Sequence, residues 1–189
     1  MKIIIASDIH GDAVCAERLL KIYKESGASR LLLLGDVLYH GPRNALPAGY
    51  APAKVADMLN EIKDEIICVR GNCDAEVDGM VLKFPIMSEM TVVEADGVRM
   101  VATHGHHYNA ENPPALAKGD VLLGGHTHVP CIKSFGNENV FLNPGSLSIP
   151  KENSAHSYIL FDSGNFMFYT LEGEEYMSYF SFEKEKPLF

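Results

Sequence analysis

Five short apolar runs in this chain are each followed at once by a side chain able to bind a metal ion. "KIIIASDIH" ends in Asp8 and His10, "RLLLLGD" in Asp36, "EIICVRGN" in Asn72, "MTVVEADGVRMVATH" in His104, and "LLGGHTH" in His126 and His128. Runs this short and this rich in Ile, Leu and Val read as buried strands. A single Asp after a strand more often caps a turn, and a single buried His is more often just hydrogen-bonded. Five strand ends carrying such residues point instead to one shared site. Ligands of an open α/β sheet bind in the crevice beyond the carboxyl ends of its strands, where all seven side chains would be delivered. Alternation along an extended chain would aim His126 and His128 to the same side.

The segments between these runs set the fold class. Cys15, Leu19, Ile22 and Tyr23 recur at helical spacing before Gly27, and Val55, Leu59 and Ile62 mark a second helix after the Pro/Gly-rich "HGPRNALPAGYAP". Strands separated by crossovers this long are expected to be parallel. From about residue 90 hairpin signals take over: Asp96-Gly97 inside "MTVVEADGVRMVATH", then "VPCIKSFGNENVFLNPGS" and "HSYILFDSGNFMFYTLEG". No linker or repeat divides the chain, so residues 1–189 are expected to form a single α/β domain with helices flanking packed sheets. Hydrophobic residues, 47% of the total, suffice for its core.

Charge and cysteine usage narrow the function. Sixteen Lys and Arg against 25 Asp and Glu give a formal charge of −9 with no basic run, which argues against a protein that coats nucleic acid. Cys15, Cys68, Cys73 and Cys131 have neither zinc-knuckle spacing nor the density of a disulfide scaffold, so reduced thiols are expected. No stretch approaches the ~18 apolar residues of a spanning helix, and a cytoplasmic protein without a membrane partner is expected. "NFMFYTL" and "EYMSYFSFE" are aromatic on more than one side, as a second packed sheet or a homo-oligomer interface would require.

Imidazoles, carboxylates and one amide oxygen suit borderline divalent ions such as Mn²⁺, Fe²⁺ or Zn²⁺ better than Ca²⁺ or a structural Zn²⁺. Seven donors are too many for one ion. Two ions about 3.5–4 Å apart, sharing one carboxylate, would leave positions open for a hydroxide and a substrate oxygen, as in hydrolytic dinuclear sites.

The order "DIH", "GD", "GN", "H", "GHTH" resembles the calcineurin-like metallophosphoesterases through "NPGS" at residues 143–146. "ASDIHG", "GDVLYHGPRNALPAGYAPAKV", "VRGNCDAEVD" and "NPGSLSIPK" are similar to the YfcE-type bacterial phosphodiesterases within that superfamily. The resemblance implies a four-layer sandwich of two mixed β-sheets flanked by helices. It implies two divalent ions, Mn²⁺ first with Zn²⁺, Fe²⁺ or Ni²⁺ as substitutes. One would be held by Asp8, His10 and His128, the other by Asn72, His104 and His126, with Asp36 bridging. The implied reaction is hydrolysis of a small phosphodiester by a hydroxide shared between the ions. The alternatives are a phosphomonoesterase or nucleotide phosphatase with the same centre, or a non-catalytic scaffold of the same fold.

Two positions depart from the superfamily pattern GDxxD and GNH: Tyr39 replaces the second Asp and Cys73 replaces the His. Protonation of the leaving group is then expected to fall to Cys73, His40, His106 or solvent, while Cys73 as a small packing residue is an equal reading. Arg43, on the loop after Asp36, is expected to grip phosphate. His107 and His156 read as structural, Asp74 as the N-cap of a following short helix, and Ser146 as a support behind the donors.

Overall fold

The computed structural model describes residues 1–181. Eleven strands among these residues form two mixed sheets. The first is ordered β11-β10-β9-β1-β2-β3 and comprises β1 (Ile3–Ala6), β2 (Arg30–Leu33), β3 (Ile66–Cys68), β9 (Ser157–Asp162), β10 (Asn165–Thr170) and β11 (Glu175–Phe180). The second is ordered β4-β5-β6-β8-β7: β4 (Met90–Ala95), β5 (Val98–Thr103), β6 (Val121–Leu123), β7 (Cys131–Phe135) and β8 (Asn139–Asn143).

The expected parallel pairs are present: β1 with β2, and β2 with β3. In the second sheet β5, β6 and β8 are parallel, with β4 and β7 antiparallel at its edges. The carboxyl ends of β1, β2, β3, β5 and β6 lead into the five motifs. The hairpin turns also fall as expected. Asp96-Gly97 joins β4 to β5 and Ser163-Gly164 joins β9 to β10, both residues of each turn having positive φ, as the strand-matched two-residue turns require.

Alternation along β1 divides the core in two. Ile3 and Ile5 face the second sheet and pack with Leu32, Met100, Leu123, Leu142 and Phe161. Ile4 and Ala6 face outward and are covered by Leu19 and Tyr23 of α1 (Ala13–Ser26) and by Val55 and Leu59 of α2 (Pro52–Asn60). Asp12 caps α1 by accepting from the amides of Val14 and Cys15 at 2.9 Å, Gly27 ends it at φ 70°, and Pro52 opens α2.

The helical cover is uneven. Both helices lie on the outer face of the first sheet. On the outer face of the second, Val101, Leu122 and Phe141 pack with Ala110 and Leu116 of the loop between β5 and β6. The two-sided aromatic pattern of β10 has an internal explanation: Phe166 and Phe168 enter the inter-sheet core, while Tyr169 packs on the helix side. Phe182 and Glu183, the end of the "EYMSYFSFE" run, lie outside the described residues. No helix among the described residues is long and apolar enough to cross a membrane.

Candidate metal centre

The seven residues converge at one end of the sandwich, and an unusual backbone conformation brings them there. Left-handed φ is uncommon outside glycine, yet Asp8 (56°), His10 (48°), Asp36 (55°), His126 (66°) and His128 (62°) all adopt it. His126 and His128 therefore do not project to one side from an extended chain. The chain reverses between them, so that His128 stands 5.1 Å from His10 and His126 stands 5.2 Å from His104, ring centre to ring centre. The extended backbone expected for the pair is corrected accordingly, while both imidazoles still line one cavity.

The glycines before the donors are required by close approach. A Cβ on Gly71 would sit 2.0 Å from Asp36 Oδ1, and one on Gly125 would sit 1.9 Å from Ser7 Oγ and 2.6 Å from Asp8 Oδ2. Neither position has room for a side chain.

Three imidazoles are oriented by backbone carbonyls. His10 Nδ1 lies 2.7 Å from the Tyr39 carbonyl, His104 Nδ1 2.7 Å from that of Leu34, and His128 Nδ1 2.8 Å from that of Ile149. A carbonyl only accepts, so each Nδ1 carries a proton, and in its neutral form each ring presents a bare Nε2 to the centre. There His10 Nε2 and His128 Nε2 are 3.2 Å apart, and His104 Nε2 is 3.1 Å from Asn72 Oδ1. Asp8 Oδ1 lies 3.4 Å from His10 Nε2 and 3.2 Å from His128 Nε2, buried and without a hydrogen-bond partner. Its sister Oδ2 is satisfied by Ser7 Oγ at 2.6 Å and the His126 amide at 3.0 Å. Asp36 Oδ2 lies between the two groups, 3.4 Å from His104 Nε2 and 3.7 Å from His10 Nε2, while its Oδ1 accepts from the Cys73 amide. Acceptor facing acceptor, with an orphaned carboxylate oxygen, is an arrangement that a cation completes. The donor set thus fits divalent ions.

Electrostatics agree. In the metal-free centre burial would lower His104, but the carboxylates of Asp36 and Asp8 outweigh it and push its pKa up to about 9. Burial would raise Asp8, yet His10 and His128 hold it well below the usual carboxylate range. Protons and cations compete for the same cluster.

The tentative residues separate. Arg43 lines a cavity of about 410 Å³ together with Asp36, Asn72, His126 and His128. Lys151, to which no role is assigned from the sequence, lines it too. Cys73 borders that cavity as well; burial and nearby Asp36 push its thiol up to about 12. His106 stands 5.3 Å from His104, and burial and His104 lower its pKa to about 4. The His40 ring packs between those of Tyr39 and Tyr50 and is not among the residues that line the cavity, though its carbonyl accepts from Asn44, which is. His107 pairs with Glu89 at 3.4 Å, and His156 Nδ1 meets the Leu147 carbonyl at 2.8 Å.

Asp74 is not an N-cap. Its buried carboxylate accepts from the amides of Asp36, Val37 and Gly71 at 2.7–2.8 Å, clipping the ends of β2 and β3 together. Ser146 Oγ donates to the Asp8 carbonyl at 2.9 Å, as a support behind the donors should. Asn143, wholly buried, donates to the Gly125 carbonyl at 2.8 Å and fixes the His126–His128 loop. Its signal is the Asn of "LNPGS", a residue type that is costly to bury unless its amide has work to do.

The family model of the calcineurin-like phosphoesterase superfamily domain matches residues 1–165. The chain is 53% identical over 163 residues to phosphodiesterase YfcE of Escherichia coli K12, covering 86% of this chain and 88% of that one. The solved structure of YfcE, described as a phosphoesterase from E. coli, superimposes with a TM-score of 0.91 at 48% identity, covering 95% of this chain and 98% of the other. A Zn²⁺ complex of Vps29 from Entamoeba histolytica shares the fold, with a TM-score of 0.60 at 20% identity over 95% of this chain and 98% of that one. With its own motifs at the ends of five strands, the chain belongs to the calcineurin-like phosphoesterase superfamily, whose members use divalent metals.

Proposed function

We propose that the chain is a metal-dependent phosphodiesterase acting on a small substrate, its residues forming one catalytic domain. The observation that carries this reading is the convergence of donor atoms: Asp8 Oδ1, Asp36 Oδ2, Asn72 Oδ1 and the Nε2 atoms of His10, His104 and His128 crowd into contacts of 3.1–3.7 Å, with every Nδ1 of these three rings turned away to a backbone carbonyl. Asp8, His10 and His128 would hold one ion and Asn72, His104 and His126 a second, with Asp36 shared. Mn²⁺ is the ion we assign first. Bound there, two divalent ions supply water activation and neutralisation of phosphoryl charge.

The chain's own residues do the rest. The carbonyls of Tyr39, Leu34 and Ile149 keep the three rings in their ligating tautomer. Arg43 and Lys151 bring positive charge to the cavity wall, where they orient an anionic phosphoryl group. The 53% identity to a protein named phosphodiesterase supports the diester over the monoester.

Metal-stripped protein resupplied with Mn²⁺, Zn²⁺, Mg²⁺ or nothing tests the reading, with bis(4-nitrophenyl) phosphate and 4-nitrophenyl phosphate as substrates. Metal-restored hydrolysis favouring the diester is expected. Preference for the monoester makes it a phosphatase, and inactivity despite stoichiometric metal makes it a scaffold.

A further inference from the structure

A second cavity, of about 470 Å³, adjoins the metal centre. Its walls include Tyr39, Tyr50, Cys73, Val77 and Val81, and Cys73 is common to both cavities. The two meet close to the donors: the Cys73 amide donates to Asp36 Oδ1 at 2.7 Å, and Asn72 Nδ2 donates to Cys73 Sγ at 3.2 Å.

The two cavities differ in chemistry. Arg43 and Lys151 line the first, whereas the second has no cation on its walls. Its one charged residue, Asp78, is turned to a local task, accepting from the Ala75 amide at 2.8 Å. Tyr39, Val77 and Val81 are 42%, 61% and 50% exposed, so the surface they form is open to solvent. Open apolar surface next to a polar site is where a ligand's uncharged part gains affinity. Tyr39 and Cys73 are also the two positions at which the chain departs from GDxxD and GNH. Both substitutions fall on this groove, and each puts an uncharged side chain where the pattern has a charged or titratable one.

We infer that the groove of Tyr39, Tyr50, Val77 and Val81 is the subsite for one uncharged, apolar or aromatic ester arm of the phosphodiester, whose phosphoryl group sits beside Arg43 and Lys151. The inference rests on the phosphodiesterase reading and names its substrate class. Asp78 at the groove disfavours an anionic arm, so polyphosphorylated esters are selected against. A dimethyl ester has nothing to place there.

Diphenyl phosphate and dimethyl phosphate test this directly, since they carry the same charge on the same phosphoryl group and differ only in their arms. Both are measured as competitive inhibitors of bis(4-nitrophenyl) phosphate hydrolysis by the metal-loaded protein. Diphenyl phosphate is expected to inhibit at least tenfold more tightly. In Val77→Asp the advantage falls to within about twofold, and Val81→Asp repeats the test at a second exposed position where folding is not at stake. Equal inhibition in the unmodified protein, or an advantage that survives both substitutions, overturns the groove and leaves the phosphodiesterase reading standing. Failure to hydrolyse any diester with any divalent metal overturns both.

Discussion

His10 Nε2 and His128 Nε2 face each other across 3.2 Å, and because each Nδ1–H donates to a backbone carbonyl, the neutral rings turn two bare acceptors toward one another. The two rings are 118 residues apart in the chain, and Asp8 Oδ1 stands beside both. Such a contact is repulsive unless something positive lies within it. A cation held between the two rings relieves that repulsion.

Asp36 Oδ2 lies 3.4 Å from His104 Nε2 and 3.7 Å from His10 Nε2, within reach of both groups of donors, so its neutral isostere separates charge from shape. Asp36→Asn is expected to lower kcat by roughly 10²-fold or more, the scale of removing one preorganised charge from a site. Metal analysis of the same variant should show weakened retention. Wild-type turnover would remove Asp36 from the centre.

Proton release should accompany metal binding. The pKa of His104 is pushed up to about 9 in the metal-free centre, so at pH 7 an incoming ion must displace its proton. Calorimetry in buffers of different ionisation heat is expected to show protons released, with affinity rising from pH 6 to 9. The stability of the metal-free protein has the opposite sign. A histidine raised above its unfolded value of about 6.5 stabilises fully below that pH, and the benefit is lost as pH rises through about 9. Thermal denaturation of stripped protein should therefore weaken over that interval.

Gly71 and Gly79 offer a matched pair of substitutions. Alanine at Gly71 places a methyl 2.0 Å from Asp36 Oδ1 and 2.4 Å from the Asp36 amide nitrogen, whereas at Gly79 nothing lies within 4 Å. Gly71→Ala is expected to destabilise by about 1–3 kcal/mol and to impair activity. Gly79→Ala should stay within about 0.5 kcal/mol of the parent in urea denaturation.

Arg43→Ala should raise KM for the diester by roughly tenfold, the worth of one charge-assisted hydrogen bond, while metal content is unchanged. Steady-state kinetics with metal analysis separates the two effects. An unaltered KM would place the guanidinium outside the binding step.

Much of this was legible in the sequence because the donors stand immediately past apolar runs, and those runs can only be buried strands. The turns at Asp96-Gly97 and Ser163-Gly164, and the stop at Gly27, were equally local. What escaped depends on residues far apart in the chain. Asp74 follows Cys73 and reads as a cap, but two of its partners are amides 37 and 38 residues away at the end of β2. Lys151 and Asn143 reach the site only because β6 and β8 are neighbours and the chain returns past His128 after β8. The left-handed backbone at Asp8, His10, Asp36, His126 and His128 has no signature in residue type beyond a tolerance for it in Asp and His. The cover over Val101, Leu122 and Phe141 is a loop without periodicity, which a pattern search passes over.

The most direct test of the account is the number of ions bound. Metal-stripped protein titrated with Mn²⁺ and measured by elemental analysis after exhaustive dialysis should retain two ions per chain, and His128→Ala should retain fewer and lose diester hydrolysis with them. One ion in the unmodified protein, or two ions undiminished in His128→Ala, would contradict the dinuclear centre.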